Sequence, residues 1–70
     1  MKKICCVRNC QTPSTEGVNA SNVQRHEIDN LTSTPGIDTA KVDFKGKLGN
    51  YFPICNNAHK EYVKSLIDSV

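Results

Sequence analysis

Residues 54–59, Ile-Cys-Asn-Asn-Ala-His (ICNNAH), decide how this chain folds, because a thiol and an imidazole four positions apart at the start of a helix point the same way. Two donors on one helical turn can share a tetrahedral ion if another segment supplies the remaining ligands. Residues 4–10, ICCVRNC, offer them: Cys5 with Cys10 makes a CxxxxC pair, and Cys6 with Cys10 a CxxxC pair. Either choice completes a set of three thiolates and one imidazole, which suits one structural zinc ion. The metal-ligand candidates are therefore Cys10, Cys55, His59 and one of Cys5 and Cys6, not both.

The length of the chain explains why such a staple is expected. It has 70 residues, 37% of them hydrophobic, with no Trp, two Phe and two Tyr. A domain this small buries only about 60% of its unfolded surface, and its core rarely supplies more than about 5 kcal/mol, so a metal or disulfides are the usual reinforcement. Near Met1 there is no apolar run approaching the roughly 7–15 residues of a secretory signal core, and no stretch suits a membrane span. A reducing, cytoplasmic setting is the expectation, and there closely spaced cysteines read as metal ligands. In an exported protein, a disulfide from Cys5 or Cys6 to Cys10 or Cys55 would be the competing arrangement. Whichever of Cys5 and Cys6 is not a ligand reads as a small buried hydrophobe.

Outward from ICNNAH, residues 56–70 form an amphipathic helix. Ala58, Tyr62, Leu66 and Val70 recur at steps of four, Val63 and Ile67 widen the stripe, and Lys60, Glu61, Lys64 and Asp68 face water. Asn56 or Asn57 can cap its start with a side-chain acceptor. Upstream, residues 40–54 (AKVDFKGKLGNYFPI) alternate Val42, Phe44 and Leu48 with charged neighbours, turn at GKLG, and continue through Tyr51, Phe52 and Ile54; this predicts a β-hairpin. Residues 12–39 are rich in Ser, Thr, Asn and Gly, with Pro13 and Pro35 as breakers, and read mostly as a long polar loop. Val18, Val23 and Ile28 mark weak extended pieces inside it. The predicted fold is a single α+β domain over residues 1–70, in the order cysteine turn, loop, hairpin, helix. Its core should pack Tyr62, Leu66 and Val70 against Val42, Phe44 and Phe52.

Charge says little about partners. Nine Lys and Arg against seven Asp and Glu give a net charge of +2, too small by itself to mark a nucleic-acid-binding protein. Lys60 and Lys64, one helical turn apart, together with Lys45 and Lys47 of the hairpin, are candidate phosphate contacts; a merely solvated surface explains the same four residues. Several chemistries are set aside. CCVRNC lacks the CxxC spacing of a thioredoxin-like site, and GKLGN lacks the Lys-Ser/Thr ending of a phosphate loop. The triplets NAS and NLT carry no weight as glycosylation sites without a secretory signal.

Taken together, CCVRNC, RHEIDN and NYFPICNNAH resemble a small HNH, or ββα-metal, domain of the treble-clef type found in phage and bacterial proteins. Cys5 and Cys10 match the family's first CxxxxC element, RHEIDN stands at its histidine segment, and Asn50, Cys55 and His59 match the third element. The resemblance also shows departures. Ala58 occupies the place of the family's second helix cysteine. The general-base histidine is replaced by Glu27, with His26 one position early, and an ordinary glutamate, with a pKa near 4.3, is a weak base for activating water.

These departures imply a scaffold that has lost its chemistry. The expected function is a non-catalytic zinc module that binds a macromolecule, nucleic acid or a host or regulatory protein. The alternative is a metal-dependent DNA endonuclease or nickase using His26, Glu27, Asn50 and His59; a second is a small protein that inhibits or regulates an enzyme. Outside the family comparison, His26 reads as a surface histidine.

Overall fold

In a computed structural model the described residues are 3–33 and 36–69. They form a small α+β domain whose three-stranded antiparallel sheet has the order β1-β3-β2. The elements run β1 (Glu16–Ala20), α1 (Arg25–Leu31), β2 (Asp43–Phe44), β3 (Asn50–Ile54) and α2 (Asn57–Asp68), with single 3₁₀ turns at Thr39–Lys41 and Gly46–Leu48.

The hairpin over 40–54 is present but short on one side, since β2 pairs with β3 only through Asp43 with Tyr51 and Phe44 with Asn50. Leu48 does not continue the strand. It lies in the 3₁₀ turn at the hairpin tip, 85% exposed. The longer partner of β3 is β1, which runs antiparallel from Glu16 opposite Ile54 to Ala20 opposite Asn50.

The described part of residues 12–39 is loop for somewhat more than half its length and also holds two elements, β1 at the extended piece marked by Val18 and the short helix α1. Two physical features explain how polar sequence does this. β1 makes its ladder with backbone groups and needs few apolar side chains, with Ala20 buried and Val18 packed on the edge of the core. α1 is set by its entry: the Glu27 carboxylate accepts from the Gln24 backbone N–H at 3.3 Å. Val23 and Ile28, on either side of that cap, are both buried, which is the hydrophobic-staple pattern.

Pro53 sits in the middle strand without breaking it. In an antiparallel strand one residue's N–H and C=O face the same neighbour, and the Pro53 carbonyl accepts from Cys6 N–H at 2.7 Å, on the side where β2 has already ended. No ladder donor is required there, so a residue lacking one is tolerated.

The core gathers Cys6, Ala20, Val23, Ile28, Ile37, Val42, Phe52, Ile54, Val63 and Ile67. Val42 and Phe52 are inside as expected, while Phe44 packs only partly against them. On α2 the buried line is Val63 and Ile67, with Tyr62 and Leu66 at its margin and Ala58 exposed. The inner stripe therefore runs 59-63-67 rather than 58-62-66. Bringing His59 to face the cysteine segment turns the helix by about one residue's rotation, and Val63 and Ile67 follow one and two turns behind it. Val70 and Pro35 lie outside the described residues.

Candidate metal centre

The amino-terminal cysteines are placed by a segment folded back on itself. Ile4 bridges Pro13, Cys5 N–H donates to the Thr12 carbonyl at 3.0 Å, and Ser14 N–H donates to the Lys3 carbonyl at 2.8 Å. At its tip Cys10 N–H closes a turn on the Val7 carbonyl at 3.1 Å. Asn9 supplies the left-handed residue of that turn with φ 69°, a conformation Asn adopts more readily than most residues. Lys41 Nζ donates to the Cys10 carbonyl at 2.7 Å and pins the turn to the body of the protein.

Extended backbone sends Cys5 and Cys6 to opposite sides. Cys6 is held by its N–H on Pro53 and its carbonyl on Asp38 N–H, both at 2.7 Å, and its side chain joins the apolar core. Burial pushes its thiol up to about 12. Cys5 points the other way, toward the helix.

Cys55 follows β3 directly, with its carbonyl accepting from Thr15 Oγ1 at 3.1 Å. Asn56 is the cap of α2: its side-chain oxygen accepts from His59 N–H at 2.9 Å, while its Nδ2 donates to Cys55 Sγ at 3.3 Å. One residue thereby fixes both helix-side donors.

Cys5, Cys10, Cys55 and His59 converge, with their donor atoms all within 4.8 Å of one another. Sγ of Cys10 and Cys55 are 3.7 Å apart, and His59 Nδ1 lies 3.4 Å from Cys5 Sγ and 2.9 Å from Cys55 Sγ. A tetrahedral ion with ordinary zinc bond lengths would set its sulfurs about 3.8 Å apart and sulfur from nitrogen about 3.5 Å. Two of the three separations already fit, and the third needs a small opening. These four residues could hold a metal ion.

The electrostatics point the same way. Burial, followed by the Cys5 and Cys10 thiols beside it, pushes the Cys55 thiol up to about 12. The Thr12 backbone N–H, first among several hydrogen bonds, draws the Cys10 thiol below its ordinary value. A divalent cation among these sulfurs would supply positive charge that favours their thiolate forms.

The other predicted site residues are elsewhere. His26 is exposed on α1, and Glu27 on the same short helix is engaged as its cap. Asn50 is buried, with its Nδ2 donating to the Val23 carbonyl, so it ties the start of α1 to the sheet. None of the three belongs to the donor cluster. Lys60 pairs with Glu16 at 3.0 Å, Lys45 stands 5.6 Å over the Tyr51 ring, and Lys64 is exposed on α2. The side chain of Lys47 lies outside the described residues. Lys41, Thr12 and Asn56 support the cluster; only Asn56 carried a sequence signal, as a cap.

Among the described residues no helix is long and apolar enough to cross a membrane. No family model, no curated protein and no solved structure matches this chain, so its centre is read from its own geometry.

Proposed function

We propose that the chain is a non-catalytic module stapled by one zinc ion, built on a treble-clef plan akin to the HNH scaffold, and that it docks on a protein partner. The observation that carries this is the convergence of four donors, two from the cysteine turn and two from the first turn of α2, within 4.8 Å. Three thiolates and one imidazole satisfy zinc completely and leave no open coordination position for a substrate or an activated water. The engagement of Glu27 as a helix cap and of Asn50 with the Val23 carbonyl also weighs against a nuclease.

The distribution of charge favours protein over nucleic acid. Lys3 pairs with Asp43 at 2.7 Å, Lys60 with Glu16 at 3.0 Å, and Lys41 serves the Cys10 carbonyl, so three of the described lysines are already occupied. A phosphate-binding face needs uncompensated cations arranged together.

Native mass spectrometry of reduced protein, with and without chelator, tests the metal. One zinc per chain is expected, lost with chelator together with the cooperative thermal transition. A metal-free, equally stable protein would overturn the reading. Titration onto duplex DNA at two salt concentrations tests the partner class; affinity that weakens steeply with salt would replace protein by nucleic acid.

A further inference from the structure

The three thiols of the cluster differ in access. Cys5 and Cys55 are buried, whereas Cys10, just past the exposed Arg8-Asn9 tip of its turn, is half-buried. Cys10 Sγ lies 3.7 Å from Cys55 Sγ, and Cys5 Sγ, which neighbours both of them, lies 3.4 Å from His59 Nδ1. Cys6 is excluded from this chemistry. Its side chain is in the core, and joining it to Cys5 would break the two backbone hydrogen bonds that hold it.

From this asymmetry we infer that Cys10 and Cys55 are a peroxide-sensitive pair, with Cys10 the thiolate that is oxidised first and Cys55 the resolving one, whose disulfide replaces the metal as the staple. The inference rests on the zinc reading above and adds a regulation to it. Hydrogen peroxide is the oxidant. The Cys10 thiolate attacks one peroxide oxygen, giving the sulfenic acid and hydroxide; the Cys55 thiolate then attacks the Cys10 sulfur and expels a second hydroxide. Two thiolates lose two electrons in all, and one peroxide gains them. The ion, left with Cys5 and His59 alone, dissociates.

The geometry makes the exchange local. A disulfide needs its sulfurs about 2.0 Å apart, so the pair must close from 3.7 Å. Cys10 follows a tight turn and Cys55 lies between β3 and α2, so both sulfurs stand at junctions between elements rather than within the sheet. The new bond joins the same two segments as the ion, so the fold is kept while the metal is lost. A thiol reductant reverses the step by taking up the two electrons' worth of oxidation as its own disulfide.

The test begins with reduced protein loaded with one equivalent of zinc and freed of reductant. Hydrogen peroxide is added, zinc release is followed with a chromophoric chelator, and disulfides are mapped after non-reducing trypsin digestion; cleavage at Arg8 separates Cys5 and Cys6 from Cys10. One zinc released per Cys10–Cys55 disulfide is expected, regained after dithiothreitol, and unchanged in Cys6→Ala. Cys10→Ser should abolish the disulfide at Cys55; because that variant can fail to load zinc, the wild-type map decides by itself. Zinc retained after the peroxide is consumed, release with a disulfide at Cys5 or Cys6, or overoxidation of Cys10 without a disulfide each overturns the switch and leaves the zinc reading standing. Protein that takes up no zinc when fully reduced overturns both.

Discussion

Cys6 shows how one position in a chain can reverse a residue's chemistry. Its neighbour Cys5 faces three other donors, while Cys6 faces Phe52, Val63 and their companions in the core, where its neutral form is strongly preferred. The sign follows from linkage. The unfolded thiol ionises near its ordinary 9.0 and the folded one only near about 12, so the folded state gains relative stability below pH 9.0 and loses it as pH rises through that interval. Denaturation curves between pH 9 and 12 should therefore show stability declining with a smaller slope in Cys6→Ala than in wild type. Tyr62 makes a second case. Its hydroxyl is buried without a hydrogen-bond partner among the described residues, and such groups are costly. Tyr62→Phe should leave the unfolding free energy unchanged or raise it by about 1 kcal/mol, measured by urea denaturation; a clear loss would show that the hydroxyl has a partner in solution.

At the scale of elements, α2 is governed by its first turn. Asn56 caps the helix through His59 N–H and also donates to Cys55 Sγ, so Asn56→Ala should cost about 1 kcal/mol of stability and weaken metal affinity in a competition titration. The spacing of ICNNAH and ICCVRNC made most of the centre readable from sequence, because ligand chemistry constrains spacing more tightly than packing constrains composition. The choice between Cys5 and Cys6 was not readable, since it depends on the backbone of residues 5–7 running extended between Pro53 and the segment at Gly36–Asp38. The hairpin and α2 were legible in their apolar runs, but the exact face of α2 was not: Ala58, Tyr62 and Leu66 form as regular a series as His59, Val63 and Ile67. β1 showed only as the weak extended piece at Val18, and α1 was hidden by polarity. Ile28 is the one fully buried side chain of α1, and a seven-residue helix shows too few turns for a period to emerge. The Val23, Gln24, Glu27 and Ile28 pattern was the available signal, and it belongs to capping rather than periodicity.

For the molecule as a whole, the metal-stapled reading predicts unequal dependence on its two sources of stability. The apolar cluster is modest, and Cys5, Cys10, Cys55 and His59 bridge the two halves of the sequence at one point. Chelation of the loaded protein should lower its thermal midpoint by tens of degrees or abolish the transition, followed by circular dichroism, because binding energy in a small metal domain is largely folding energy. A midpoint that moves by only a degree or two would assign stability to the core alone.

Cys5 and His59 stand 54 positions apart in the chain. During synthesis, therefore, the four donors cannot come together until residue 59 has left the ribosome, well after the first thiols. Non-local contacts of this kind make folding slow. A nascent chain of this protein therefore carries Cys5, Cys6 and Cys10 for an interval before Cys55 and His59 are available to join them.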